Sequence, residues 1–176
     1  ASVSVPSPAC TAAKYLGFSV TEQLTWDHHI HDVTAKVNRK VGALWRARRS
    51  LSQKARVQYL KSVVMPDLLY GSVAYSTSLS AFALGKLQRL QNRAIRAVFS
   101  LPPTSSVSHQ RESVSLRKIE ETQHHRLLDL IWRGLNGQCS TALSKQLTPA
   151  TTAATRHQAN AGLILPLART NIGTRR

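Results

Sequence analysis

The sequence predicts a mainly α-helical bundle with a small β-hairpin at its N-terminal end and an irregular arm at its C-terminal end. Three observations carry this. Apolar residues recur at intervals of three and four through successive stretches, the spacing of a buried helix face. One short run, Lys14 to Val20 (KYLGFSV), is instead rich in aromatic and β-branched residues. Residues 148–161 (TPATTAATRHQANA) are low in complexity and read as a linker, and Pro166 limits the run Leu163 to Ala168 to an edge strand at best.

Lys14–Val20 reads as a strand and Thr21-Glu22-Gln23 as a turn, with Leu24-Thr25-Trp26 leading into the first helix. Thr25 or Asp27 is expected to cap that helix. Its Ile30, Val33, Val37, Val41 and Leu44 form one apolar stripe. Lys36, Arg39, Lys40 and Arg46 fall on the side away from the stripe, whereas Arg48 projects near it and has to snorkel. Ser50-Leu51-Ser52 interrupts the helix, and Ser52 caps a second one through Val57, Leu60 and Val64, which Pro66 ends or kinks at Met65. Leu68 to Ser80 reads as a short helical turn followed by a loop. A third helix from about Ala81 to Phe99 turns Leu84, Leu87, Ala94 and Val98 inward, and its Lys86, Arg89, Arg93 and Arg96 make a second straight basic stripe.

Leu101-Pro102-Pro103 stops the third helix, and a Ser-rich loop runs through Ser108. A fourth helix, about Ser115 to Leu135, has Ile119, Leu127, Leu130 and Ile131 inward and closes at Asn136-Gly137. It carries Glu120, Glu121 and Asp129, so it is a packing helix rather than a binding one. Ser140 to Leu147 adds a short helix. The chain thus divides into a leader (1–13), a hairpin region (14–26), basic helices (27–100), packing helices (101–147), and a linker with a basic arm (148–176).

Charge decides the class of partner. Between Asp32 and Asp67 stand nine lysines and arginines and no acid, and the acid-free character resumes as far as Glu112. A net charge of +16 and a pI near 11.1 make such a domain repel itself unless a polyanion sits against it. The regular apolar spacing rules out a disordered basic tail. No apolar run is long enough to span a bilayer and no basic helix pairs with a Trp/Phe-rich lipid face, so nucleic acid is the expected partner rather than a membrane. Cys10 and Cys139 lack Cys-x-x-Cys spacing and read as free thiols of a reducing compartment. No secretory signal is present in residues 1–13. The chain opens at Ala1 and ends at Arg175-Arg176 in mid-composition, so a piece of a longer polypeptide is expected.

Catalytic chemistry is sought and not found. Two-metal catalysis needs clustered carboxylates, and none of the eight acids forms an Asp-Asp pair at a strand end. His28, His29 and His31 have no Cys or second His pair beside them, and His124 and His125 stand no better, so no metal site is expected. There is no Gly-rich phosphate loop and no G-x-S-x-G. Trp26, Trp45 and Trp132 could stack on bases but are read as core.

Taken in order, the landmarks resemble one family, the reverse transcriptases of non-LTR (LINE-type, jockey-like) retrotransposons. Lys14-Tyr15-Leu16-Gly17-Phe18, then Leu24-Thr25-Trp26 and His29-Ile30, are similar to the block that follows the family's polymerase palm and includes its primer-grip hairpin. Tyr59 to Pro66 with Leu69-Tyr70-Gly71 is similar to its Y-K-[SA]-x-[VI]-x-P…L-x-Y-[GA] segment. Leu87-Gln88-Arg89-Leu90-Gln91-Asn92-Arg93-Ala94-Ile95-Arg96 resembles its Gln/Asn/Arg-rich helix, and Leu135-Asn136-Gly137, Thr155-Arg156 and Arg169-Thr170-Asn171 follow in order.

The resemblance implies a thumb-like bundle and the region just beyond it, without fingers or palm. The catalytic aspartates and their Mg²⁺ would belong to that palm; Tyr70-Gly71-Ser72 is no substitute, and this chain alone is expected to be non-catalytic and to need no cofactor. Leu16, Gly17 and Phe18 would be the primer-grip-like residues, and Lys36, Arg39, Lys40, Arg46, Lys86, Arg89, Arg93 and Arg96 would contact the backbone of an RNA/DNA or DNA template–primer duplex or of the element RNA. The expected location is intracellular, in nucleus and cytoplasm. A stand-alone basic nucleic-acid-binding protein, or an inactive retroelement remnant, is the alternative reading.

Overall fold

The computed structural model describes residues 12–21 and 25–147. The leader up to residue 11, Glu22 to Leu24, the 148–161 linker, the Leu163–Ala168 run, Cys10 and the late Thr155, Arg156 and Arg169 to Asn171 lie outside them. The architecture is mainly helical with one two-stranded antiparallel hairpin, as the sequence predicts. The chain divides into two compact units, residues 1–124 and 125–176. Among the described residues no helix is long and apolar enough to cross a membrane.

Strand β1 (Ala12–Tyr15) pairs with β2 (Phe18–Thr21), Tyr15 standing opposite Phe18. The Lys14–Val20 run is therefore not one strand but two halves folded at Leu16-Gly17, and pairing begins within the residues read as leader. Both loop residues have positive φ, 48° and 83°, the geometry of a two-residue turn whose twist matches the flanking strands. Gly17 adopts it freely; Leu16 carries strain there, and the Tyr70 hydroxyl fixes it by donating to the Leu16 carbonyl at 2.9 Å.

Helix α1 (Asp27–Ala47) buries all five predicted stripe residues and also His29. Neither Thr25 nor Asp27 caps it: Trp26 occupies the cap position without a capping side-chain bond, and the Thr25 N–H is taken by Thr21 Oγ1 at 3.1 Å. Ser52 does cap α2 (Gln53–Tyr59), its Oγ accepting from Ala55 N at 3.2 Å.

Pro66 does not end this second helical segment. A π-helical turn, Leu60–Val64, follows α2 and leads into α3 (Met65–Leu69), with Pro66 inside the first turn of α3. An α register would drive the proline ring into the carbonyl four residues back. The wider turn, in which Met65 N bonds Leu60 O, admits the ring and leaves Leu60, Val64, Met65, Leu68 and Leu69 buried. After Gly71 the chain forms α4 (Ser72–Tyr75) and a 3₁₀ turn (Ser76–Ser78), more helical than the expected loop.

Helix α5 (Ala81–Phe99) is capped by Ser80, whose Oγ accepts from Ala83 N at 3.2 Å. Leu87, Ala94 and Val98 are fully buried, as are Gln91 and Ile95, and Leu84 is half-buried. Each fully buried leucine or valine contributes about 1.5–3 kcal/mol through apolar surface removed from water. The Ser-rich loop is followed by a short helix, α6 (Ser108–Ser113), and the fourth helix starts later than expected, at Ile119, after Ser115 with its φ of 54°. Helix α7 (Ile119–Leu135) begins on a polar bracket from α5. Gln91 Nε2 donates to Arg117 O at 2.8 Å, and Gln88 Oε1 accepts from Ile119 N at 2.9 Å.

In the second unit α7 closes at Asn136-Gly137 as expected, Gly137 having a φ of 69° and Gln138 N bonding Arg133 O at 2.8 Å. Leu127, Leu130 and Ile131 are half-buried rather than fully inward, while Leu128, Trp132 and Leu135 are exposed. Helix α8 (Thr141–Gln146) follows, and Cys139 is a half-buried free thiol.

Candidate nucleic-acid interface

The four cations of the first basic stripe do not share one face. Lys36 Nζ lies 2.9 Å from Asp67 Oδ1, and Lys40 pairs with Asp67 Oδ2 while donating to Val63 O at 3.0 Å. Both lysines thus tie α1 to α3, Lys40 ties it to the π turn as well, and Lys40 is half-buried. At 100° per residue, Arg39 and Arg46 lie about 90° further round the helix, and both are exposed. Their sequence spacing is compatible with one face, but Asp67 claims the i, i+4 pair of lysines. Burial pushes the Asp67 carboxyl up, yet the hydrogen bonds and charges of Lys40 and Lys36 outweigh it, and its pKa falls below the ordinary value.

The second stripe remains together. Lys86, Arg89, Arg93 and Arg96 all lie on the flank of α5 away from the core. The motif helix splits its polar side chains by function: Gln88, Gln91 and Asn92 join in the bracket to α7, with Gln88 Nε2 2.8 Å from Gln91 Oε1 and 2.9 Å from Asn92 Oδ1, and the arginines face away. Lys86 sits over the exposed Phe82 ring at 4.5 Å. Arg93 Nη1 donates to Asn38 Oδ1 on α1 at 2.9 Å, and Arg96 Nε donates to Ser105 O at 3.0 Å.

Packing of α1 on α5 brings Arg89, Arg93 and Arg96 to one side of a cleft of about 520 Å³, with Trp45 on the other. Arg46 stands on the adjoining flank of α1, its Nη1 3.9 Å from the position a β-carbon would take on Gly42. Among the described residues none of Arg39, Arg46, Arg89, Arg93 and Arg96 forms an ion pair. Arg48 neither snorkels to solvent nor joins the stripe; its guanidinium stacks 3.5 Å from the Trp45 ring centre. Trp45, Asn38 and Gly42 were not legible as site residues, although their 4-3 spacing beside the apolar stripe marks the flank that meets α5.

The tryptophans correct the core reading. Trp26 is half-buried and its Nε1 donates to Ser78 Oγ at 3.0 Å, but Trp45 is 43% exposed and Trp132 57%.

The hairpin residues take three different positions. Tyr15 and Leu16 stand at an exposed tip. Gly17 makes the turn against Tyr70, whose Cε1 would lie 3.3 Å from a β-carbon. Phe18 turns inward, stacked on Tyr70 at 5.6 Å and 28°, and packed edge-on to Trp26 at 6.0 Å and Tyr75 at 6.4 Å. His29 joins this cluster 5.2 Å from Phe18 and 5.4 Å from Tyr75, with no hydrogen bond to its Nε2. Burial lowers its pKa below 6.5, and the Asp32 charge opposes that only in part. Asp32 accepts from Ser19 Oγ at 2.7 Å, which is the chief reason its own pKa lies below the ordinary value; His28 lies 3.6 Å from it and His31 3.9 Å. Among the described residues no three His, Cys, Asp or Glu side chains converge to hold a metal ion.

The arrangement defines a basic helical module with an arginine-lined cleft and an aromatic cluster that packs its hairpin onto the helices. Over 97 residues, 53% of this chain and 11% of the relative, it is 28% identical to the probable RNA-directed DNA polymerase from transposon X-element of Drosophila melanogaster. It is 31% identical over 94 residues, 52% of this chain and 10% of the relative, to the RNA-directed DNA polymerase from mobile element jockey of the same organism. The chain spans about a tenth of the length of the curated relatives it matches. These similarities support the resemblance to non-LTR, LINE-type reverse transcriptases. No protein-family model matches the chain, and no solved structure does.

Proposed function

We propose that this chain is the thumb-like part of a retrotransposon RNA-directed DNA polymerase and holds a template–primer duplex by its phosphates. One observation carries the reading: α1 and α5 pack so that Arg89, Arg93 and Arg96 gather at one cleft free of carboxylate partners among the described residues, with the exposed Arg46 on the adjoining flank of α1. Arginine is the side chain suited to phosphate, its planar fork offering two parallel donors. Contacts to phosphate position a duplex without reading its sequence, which suits a clamp that must move along its product. The exposed tip of Tyr15 and Leu16 supports the primer end. Metal-dependent nucleotide transfer belongs, in this reading, to the palm of the parent polypeptide.

Salt dependence tests it. Each phosphate contact contributes about 0.9 to the slope of log affinity against log salt on B-form DNA. Replacing Arg89, Arg93 and Arg96 with Gln is expected to lower that slope by about 2–3 for a duplex while circular dichroism stays unchanged. An unaltered slope overturns the contact face.

A further inference from the structure

We propose that the cleft between α1 and α5 takes an unpaired nucleotide of a single strand, its base on the apolar floor and its phosphates on the arginines. The inference rests on the reading that the chain binds nucleic acid, and names a second class of ligand for the same surface. Gly42, Leu101 and Pro103 give the floor its accessible surface, over the buried Val41 and Ala97. A volume of about 520 Å³ falls within the roughly 300–1,000 Å³ of ligand pockets. A phosphodiester backbone gains nothing from such a floor, because an anion pressed against apolar surface loses its hydration. A base gains from it. In a duplex the base faces are stacked on one another, so only an unpaired nucleotide can present one.

The walls suit the same ligand. Trp45 is partly exposed at the cleft, and Arg48 stacked at 3.5 Å holds its ring in place before anything binds. Arg93 and Arg96 each commit one donor within the protein, to Asn38 and Ser105. A guanidinium carries five N–H donors, so these bonds aim the arginines and leave donors for phosphate. Gly42 keeps the floor open: a β-carbon there would meet only Arg46 Nη1, at 3.9 Å.

That opening supplies the test. Gly42→Leu puts an apolar side chain into the cleft from a position where a β-carbon fits, and is a better helix former. Binding of a fluorescent oligothymidine, the same strand made abasic, and a duplex of equal length is measured by anisotropy at one salt concentration, on the full chain and on Gly42→Leu. The unaltered chain is expected to bind the base-bearing strand about tenfold tighter than the abasic one. Gly42→Leu is expected to erase that preference by weakening the base-bearing strand to the level of the abasic one. Equal affinity for the two strands, or a preference that survives Gly42→Leu, overturns the inference and leaves the duplex reading standing. Failure of the unaltered chain to bind any of the three overturns both.

Discussion

A β-carbon on Gly71 would collide with Cζ and Cε1 at the edge of the Phe18 ring. The missing side chain is what lets the hairpin close onto the end of α3, where Phe18 stacks on Tyr70. Gly71 also has a φ of 58°, a conformation that side-chain-bearing residues adopt at a cost of about 1–2 kcal/mol. With overpacking of about 1–3 kcal/mol added, Gly71→Ala is expected to lower stability by about 2–5 kcal/mol. Urea denaturation reads this directly, and an unmoved midpoint would show that the hairpin does not need that contact.

The basic residues of α1 should separate into two kinds. Lys40→Met leaves the Asp67 carboxylate and the Val63 carbonyl short of a partner, and is expected to cost about 1–3 kcal/mol of stability. Arg46→Gln, at an exposed site, is expected to change stability by less than about 0.5 kcal/mol but to lower the salt slope of duplex binding by about 0.9. Denaturation and salt titration of both variants check the division; the reverse pattern would mean that Lys40, not Arg46, meets phosphate.

Acid should weaken the fold in two stages. His29 has its folded-state pKa below 6.5 because it is buried, so the unfolded chain binds its proton more readily. The stability due to the neutral ring is present above about pH 6.5 and is lost as pH falls through the folded-state value. Asp32 and Asp67 also have lowered values, so their contributions hold above about pH 3.9 and fade below it. His29→Phe is expected to remove the first stage and keep the second, as read from denaturation midpoints at pH 7, 5.5 and 3.5 (about one point per stage). A wild-type midpoint that does not change between pH 7 and about 5.5 would contradict this.

Gln91 is fully buried within the bracket that starts α7. Gln91→Leu keeps its volume but leaves the Arg117 carbonyl without its donor, which is expected to cost about 1–3 kcal/mol. Hydrogen exchange at Ile119 should rise with it, since Gln88 loses the Gln91 oxygen that orients its amide. Unchanged exchange there would detach Gln88 from the effect.

Helical periodicity read the bundle well where the buried face is apolar: the stripe of α1 and the limits of α5 match the structure. It failed where one residue changes the geometry. Pro66 breaks an α-helix but not a π turn, and a Leu16-Gly17 turn does not show in a run of strand formers. On α5 the cations stay on one flank, and no acidic side chain among the described residues pairs with them. Charge spacing misplaced Lys36 and Lys40 because Asp67, their partner, arrives from another helix. The Trp45 cleft was hidden for the same reason: it exists only once two helices meet.

The π turn between α2 and α3 sets the phase of everything after it. One extra residue per turn rotates the following helix by about 100° relative to an uninterrupted one. That rotation is what delivers Asp67 to the two lysines of α1 and Tyr70 to the Leu16 carbonyl. Shortening Leu60–Val64 by one residue would remove the wide turn, press the Pro66 ring against the carbonyl four residues back and swing both side chains off their partners. Hairpin and basic helix are thus kept in step by a single surplus residue.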